Sequence, residues 1–165
     1  MKKLFLMLTQ PVLQLNIGSQ LLIAVPRIFC GYLMAFEFGA AKFGMPWSEP
    51  DKNLGLFEVA FWFPKDVADF GGIFATFPVF FAWMGAFSEA VGGLCLMLGL
   101  QTRISSFLIL CTMLVAAFCQ QVNEGLWNML PSLCMGAICI YTLVLGSGKF
   151  GLDYLVTKNI TTNEN

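Results

Sequence analysis

Four stretches of this chain are long and apolar enough to cross a lipid bilayer, and they constrain the fold more than any other feature. They cover about residues 17–38, 71–100, 104–122 and 126–145. A membrane-spanning helix needs roughly 20 mainly apolar residues, and the alternating pattern of a membrane β-barrel is not seen in them. We therefore predict an all-α integral membrane bundle of four transmembrane helices, formed as a single domain by residues 1–165.

The composition excludes several classes of protein. Hydrophobic residues make up 58% of the chain and charged residues 12%, whereas soluble domains contain about 25% charged residues. The net charge of −1 provides no basic surface for nucleic acid. The chain has no histidine, which removes the commonest metal ligand and the usual general base. Since no catalytic or phosphate-binding motif is present either, we predict no catalytic residue and no metal site.

The connections between the stretches differ in character. The longest, about residues 39–70, is rich in proline and in tryptophan and phenylalanine, which favour the membrane interface. We expect this aromatic loop to cap the bundle between helices one and two. We also expect residues 1–8 to form an interfacial segment that stays attached, and residues 157–165 to form a frayed polar tail. Proline inside three stretches, at Pro26, Pro78 and Pro131, should kink the helices.

The distribution of basic residues predicts the orientation. Both termini lie on the same side as the short loop that contains Arg103, and this side is enriched in lysine and arginine. The opposite side carries most of the acidic residues. Because cytoplasmic loops carry an excess of basic residues, we place both termini in the cytoplasm.

Arg27 and Glu89 are charged residues that lie well inside apolar stretches. A charge at the centre of a bilayer costs about 2.5–3.5 kcal/mol and normally has a partner. Arg27 is ten residues from Ile17, and Glu89 is ten residues from Gly99. At 1.5 Å per residue both lie about 15 Å from the same face. We therefore expect Arg27 to face Glu89.

Small residues accompany both charges at helical spacing. They are Gly31, Ala35 and Gly39 in the first stretch, and Gly85 and Gly93 in the second. Such stripes let membrane helices approach closely, so we expect helices one and two to pack along them. The charged pair has two interpretations: an ion pair that fixes helix register, or a polar centre that lines a cavity for a headgroup, a quinone or a proton.

A second charged cluster, Glu37 and Lys42, lies where the first helix meets the outer interface. Lys42 either extends to the interface along its aliphatic stem or belongs to the rim of a ligand site. With Arg27 and Glu89, these residues are the candidate ligand-binding or intramembrane polar centre.

All six cysteines lie in or at the ends of the apolar stretches, and none forms a C-x-x-C motif. Counting residues places Cys111 near the level of Cys139, and Cys30, Cys119 and Cys134 near another level. A redox pair is thus compatible with the sequence, although buried cysteine is commonly a small apolar packing residue.

Several motifs carry a resemblance to a known family. The segments PRIFCG at residues 26–31 and EFGAAKF at residues 37–43 lie in and after the first stretch. The pattern E-x-x-G-G-x-x-L-x-L-G-L-x-T-R covers residues 89–103, and G-x-G-K-x-x-L-D covers residues 146–153. Together, over about residues 21–155, they resemble the DoxX family of small four-helix bacterial membrane proteins.

The resemblance implies a protein of the bacterial cytoplasmic membrane. Relatives in that family include a subunit of a thiosulfate:quinone oxidoreductase, and others are linked to membrane redox complexes and thiol stress. The family's recurrent polar residues fall on Arg27, Lys42, Glu89, Arg103 and Asp153, and its glycine motif includes Gly92 and Gly93. This chain departs from the family in its longer aromatic loop and in lacking an adjacent cysteine pair.

Three hypotheses for function follow. The first is an accessory, non-catalytic module of a membrane redox system, in which Arg27 donates to a quinone carbonyl and Glu89 orients the quinone or exchanges a proton. The second is a structural or assembly partner of a membrane complex. The third is a carrier for a small metabolite or lipid. The expected partners are the lipid bilayer, other membrane redox subunits and further copies of the chain.

Overall fold

The computed structural model describes residues 10–12, 16–48 and 54–162, apart from the side chains of residues 160–162. The helices in this part of the chain are α1 Ile17–Gly39, α2 Phe63–Ala68, α3 Gly72–Thr76, α4 Pro78–Leu98, α5 Thr102–Gln120, α6 Leu126–Leu145 and α7 Leu152–Thr162. A 3-10 turn at Val122–Glu124 joins α5 to α6. Helices α1, α4, α5 and α6 are long and apolar enough to cross a membrane. This confirms the predicted all-α bundle.

Two expectations fall on residues outside the described ranges. The interfacial segment expected at residues 1–8 is one, and the expected fraying of residues 163–165 is the other. Residues 49–53 of the aromatic loop lie outside these ranges as well.

The second long helix begins later than the hydropathy pattern predicts. Apolar character continues from residue 71, but the backbone breaks at Phe77 (φ −131°, ψ 56°) and separates the short helix α3 from α4. Pro78 therefore starts α4 instead of kinking it, which corrects the expectation for this proline. A proline at the first helical position loses nothing, because its backbone N–H would have no partner in the helix. Pro26 and Pro131 do lie inside their helices.

The polar segment after Leu152 is also different from the prediction. Residues 157–162, which we expected to fray, continue helix α7. The hydroxyl of Thr157 donates to the carbonyl of Asp153 at 2.8 Å, one turn earlier in the helix. The polar residues of this segment therefore do not end the helix.

Helices α1 and α4 approach each other most closely at glycines. A side chain at Gly31 would lie 2.7 Å from the carbonyl oxygen of Gly93, and one at Gly39 would lie 2.5 Å from Cα of Ala90. A side chain at Gly93 would lie 2.6 Å from the backbone nitrogen of Ala35. The other helices complete the bundle around a buried core that includes residues of α1, α4, α5 and α6.

The connection between α1 and α4 folds back over one end of the bundle, which we call the loop end. Phe43 pairs with Val59 in an isolated antiparallel bridge and is fully buried. Its ring packs against the rings of Trp83 and Phe87 in α4, at centroid distances of 5.8 and 6.1 Å. The opposite end, where α1 and α5 begin and α4 and α6 end, is the terminal end.

The outer surface of the bundle is apolar. Large side chains such as Leu22, Phe77, Phe80 and Trp127 are exposed on the four long helices and next to them. In water such a continuous apolar surface would cause aggregation, whereas lipid chains can cover it. The surface therefore agrees with a multi-pass membrane protein in contact with the bilayer.

Candidate ligand-binding site

Glu89 forms its ion pair with Lys42. The ammonium Nζ of Lys42 donates to Glu89 Oε2 at 2.8 Å and to Oε1 at 3.0 Å. The Lys42 side chain is 20% exposed and that of Glu89 is 3% exposed. Nζ also lies 5.0 Å from the centre of the Phe63 ring, within range of a cation–π contact. The carboxylate, the ammonium and the ring thus form one compact cluster beside the end of α1 and about halfway along α4.

The expectation that Arg27 faces Glu89 is wrong. Arg27 is fully buried and donates from Nη1 to the carbonyls of Leu96 and Met97 at 2.5 and 3.0 Å. Its Nη2 donates to the carbonyl of Phe150 at 3.2 Å. Residue counting assumed that Ile17 and Gly99 lie at one level. Instead α1 extends beyond the end of α4, so that Arg27 lies beside the last turn of α4.

The beginning of α1 packs on the turn that precedes α7, which explains this offset. The side-chain oxygen of Gln20 accepts a hydrogen bond from the backbone N–H of Lys149 at 2.9 Å. Carbonyls in the last turn of a helix have no partner within the helix. Arg27 satisfies those of Leu96 and Met97 and thereby joins α1, α4 and the 146–151 turn.

A cavity of about 290 Å³ lies beside the Lys42–Glu89 pair, between α4 and α5 and beneath α2 and α3. Its walls are mainly aromatic and aliphatic, and its polar lining consists of the ion pair, two hydroxyls, a thiol and an amide. The lining residues are Lys42, Phe63, Val67, Phe70, Phe74, Phe80, Phe81, Met84, Gly85, Ser88, Glu89, Leu108, Cys111, Thr112, Val115, Ala116 and Gln120. Such a cavity suits a ligand with an apolar ring and a small polar head.

Two hydroxyls complete the polar part of the cavity. Ser88 Oγ donates to the carbonyl of Gly85 at 2.8 Å, and Ser88 Oγ and Thr112 Oγ1 are 2.5 Å apart. Thr112 belongs to α5, so this contact joins the two helices that form the cavity. Because each hydroxyl has two acceptor lone pairs, the pair can also accept a hydrogen bond from a ligand.

Wide π-helical turns occur in three of the long helices. They are Leu33–Gly39 in α1, Ser88–Gly92 in α4 and Ala116–Gln120 in α5. Glu89 lies inside the second, Lys42 follows the first, and Ala116 and Gln120 line the cavity. Turns of this kind are rare in proteins overall, but those that occur are often found at functional sites. Their positions therefore support this region as the functional one.

The cavity reaches the lipid-facing surface between α4 and α5. Phe80 and Cys111 line it and are also exposed on the outside of the bundle. Both helices are long and apolar enough to cross a membrane, so an opening between them offers an amphiphile a route from the bilayer.

The sequence matches a known family. A sequence model of the DoxX family matches residues 19–121, which is more than half of the 165-residue chain. The chain belongs to the DoxX family. Neither the curated proteins nor the solved structures contain a significant match to it. The matched range includes the cavity, the Lys42–Glu89 pair and Arg27, whereas Asp153 lies beyond it.

Arg103 and Asp153 of this DoxX protein lie at the terminal end and are not among the cavity-lining residues. The Asp153 carboxylate accepts the backbone N–H groups of Gln101 and Thr102 at 2.8 and 2.9 Å, so it caps the start of α5. Arg103 Nη2 donates to the carbonyl of Val144 near the end of α6, at 3.2 Å. These contacts connect helix ends.

The remaining sequence candidates separate in the structure. Glu37 is exposed on α1 and is not among the cavity-lining residues. Gly85 lies at the cavity, where a side chain would be 3.7 Å from the Phe63 ring, and Gly92 faces Ile109 of α5. Gly93, the other glycine of the small-residue stripe in α4, packs against α1.

The cysteines also group differently from the expected levels. Cys30 of α1 and Cys139 of α6 are both fully buried and in contact. Residue counting had placed them at separate levels, because it again treated the helix ends as aligned. Cys111, Cys119 and Cys134 are exposed, and all six cysteines are free thiols. Within the described residues no group of three or more Cys, Asp or Glu side chains is arranged to hold a metal.

Sequence reasoning missed the contributions of Ser88, Thr112 and Phe63. A signal was present for the first two, since each is a polar residue inside an apolar stretch and Ser88 directly precedes Glu89. Nothing in the local sequence distinguishes Phe63 from the other aromatic residues of its loop.

Proposed function

We propose that this DoxX protein is a non-catalytic module of a membrane redox system that binds a quinone-like amphiphile in the cavity between α4 and α5. The observation that carries the proposal is the combination of an aromatic cavity with a buried ion pair at its polar end. Ligand sites are typically apolar clefts with a few convergent polar groups, and this cavity has that composition.

The size of the cavity supports a ligand that is only partly enclosed. Its volume of about 290 Å³ is at the lower end of the range of roughly 300–1,000 Å³ for small-molecule sites. A substituted ring fits this volume, whereas a long alkyl or isoprenoid chain must remain outside. We place the ring among Phe63, Phe74 and Phe81, with the chain leaving past Phe80 into the bilayer.

In this arrangement Lys42 takes the role that the sequence suggested for Arg27. Its ammonium group has three donors, and Glu89 occupies two of them. The third can donate to a ring carbonyl. Glu89 holds the ammonium in position, and the Ser88–Thr112 pair can accept a hydrogen bond from a ring hydroxyl.

We also propose that the protein resides in the bacterial cytoplasmic membrane with both termini in the cytoplasm. The basic residues near the terminal end support this orientation. The loop end then lies toward the outer side of the membrane. Exposed apolar faces on the helices are available for redox subunits or for a second copy.

A structural or assembly role is the second candidate, and the contacts of Arg27 and Asp153 favour it. Both side chains are buried and their described hydrogen bonds go to backbone groups at helix ends. These residues stabilise the bundle. A protein whose Lys42–Glu89 pair did the same and bound nothing would be an assembly partner.

The test is direct binding of a fully substituted, short-chain benzoquinone, which does not react with thiols, to the purified protein in nanodiscs. The main variant is Gly85→Leu, because the added side chain extends into the cavity while all charges remain. The matched control is Gly18→Leu on α1, where an added Cβ would meet no atom of the described neighbours within 4 Å. We expect binding in the wild type and the control, and a loss of at least about tenfold in Gly85→Leu.

The absence of saturable binding in the wild type would contradict the proposal and leave the assembly role. Equal binding in Gly85→Leu and wild type would place the ligand at another site. Thermal unfolding of each variant shows whether the bundle is intact.

A further inference from the structure

The cavity holds one positive and one negative side chain, and these two neutralise each other. Lys42 and Glu89 are the lysine and glutamate among its described lining residues, and the remaining lining is apolar, hydroxyl, thiol or amide. From this charge balance we infer that Glu89 determines ligand selectivity, so that the site accepts neutral polar heads and rejects anionic ones. This inference rests on the proposed ligand-binding function.

Lys42 by itself would favour an anionic head. A lone ammonium at the end of an apolar cavity attracts carboxylates, sulfonates and phosphates, because little water is present to solvate the charges. Glu89 removes that preference. Both of its oxygens lie within 3.0 Å of the Lys42 ammonium, and the carboxylate is 3% exposed, so solvent does not screen it.

The position of Lys42 is held from two sides. The carboxylate lies on one side of the ammonium, and the ring of Phe63 lies 5.0 Å away on another. An anionic head can approach only by breaking the ion pair or by placing a second negative charge beside Glu89. Like charges that share a dry site repel strongly. A neutral carbonyl needs a single N–H and leaves the pair intact.

The ligand class that fits is therefore a neutral amphiphile with a hydrogen-bond acceptor on its ring. Free fatty acids and anionic lipids share the apolar chain but carry a charge that this site disfavours. Discrimination between neutral and anionic heads thus comes from repulsion by Glu89 as much as from attraction to Lys42.

Two probes of equal chain length test the inference on the full-length protein in nanodiscs. One is a fully substituted benzoquinone with a decyl chain, which is neutral, and the other is decylbenzenesulfonate, which has a ring and the same chain but is anionic at every working pH. We expect the wild type to bind the quinone at least about tenfold more tightly than the sulfonate. In Glu89→Gln, which leaves Lys42 as the remaining charge, the sulfonate should gain at least about tenfold.

Glu37→Gln is the matched control, because it removes the same charge from an exposed position on α1. Its ratio of affinities should equal that of the wild type. Unchanged ratios in Glu89→Gln, or equal affinities for the two probes in the wild type, would overturn the selectivity inference while leaving the ligand-binding function in place. Binding of neither probe by the wild type would instead overturn the function itself. If Glu89→Gln does not fold, the wild-type ratio alone decides.

Discussion

At the scale of single residues, Arg27 and Glu89 are both charged side chains buried in apolar helices, and the protein stabilises them in different ways. Arg27 donates to three backbone carbonyls at helix ends and in a turn. Glu89 has an oppositely charged side chain, Lys42, as its partner. Breaking a buried ion pair on one side leaves an uncompensated charge, whereas exchanging both charges preserves the pair.

A pair of charge exchanges separates these arrangements. We expect Lys42→Glu combined with Glu89→Lys to recover much of the thermal stability that either single change removes, because the two side chains are in direct contact. We expect Arg27→Glu combined with Glu89→Arg to be as unstable as the worse single variant. Thermal unfolding in detergent measures both, and recovery in the second combination would contradict the contacts described above.

At the scale of the helices, glycine decides how closely α1 and α4 pack. The atoms nearest to a side chain at Gly31 would be backbone atoms of α4, with the Gly93 carbonyl oxygen at 2.7 Å, and backbone cannot move aside as a flexible side chain can. At Gly92 the nearest atoms belong to the Ile109 side chain at 3.6 Å, an ordinary contact distance. Glycines in these two helices thus have different structural roles.

Gly31→Ala should therefore destabilise the bundle, and Gly92→Ala should not. Overpacking of a tight contact typically costs about 1–3 kcal/mol, and we expect a loss of this size in the free energy of unfolding for Gly31→Ala. Gly92→Ala is the matched control, with the same added methyl group. Equal stability of the two variants would show that α1 and α4 are further apart than the structure has them.

At the scale of the whole molecule, the cavity connects the Lys42–Glu89 pair with the lipid-facing surface. Cys111 lies on this route, since it lines the cavity and is exposed between α4 and α5. Cys134 is exposed on α6 and does not line the cavity, while Cys30 and Cys139 are buried. The labelling rates of the natural cysteines can therefore distinguish the cavity at Cys111, the outer surface at Cys134 and the core at Cys30 and Cys139.

A bound ligand should protect Cys111 from a membrane-permeant maleimide. With the same fully substituted, short-chain benzoquinone bound, we expect the labelling rate of Cys111 to fall several-fold. The rate at Cys134 should stay constant, and Cys30 and Cys139 should label slowly in both states. Peptide mass mapping measures each site, and equal protection of Cys134 would indicate a general effect on the membrane.

Much of this architecture is determined by the sequence itself. Hydropathy is a sum over neighbouring residues, so four spanning helices could be predicted without any knowledge of packing, and the motifs at residues 89–103 and 146–153 indicated the family. The prediction that each proline lies inside a helix and kinks it was wrong for one of the three. Pro26 and Pro131 lie inside helices, but Pro78 starts one. Pro78 begins a helix because the backbone breaks at Phe77. The apolar residues around Phe77 do not indicate this break.

The partners of the buried charges were decided by the tertiary structure alone. The axial offset between α1 and α4 depends on where their glycines allow contact and on how Gln20 binds the turn near Lys149. That offset moves Arg27 to the end of α4, and the fold of the aromatic loop brings Lys42 to Glu89. Counting residues along separate helices cannot supply either distance, because the energy that sets helix register comes from contacts between segments remote in the chain.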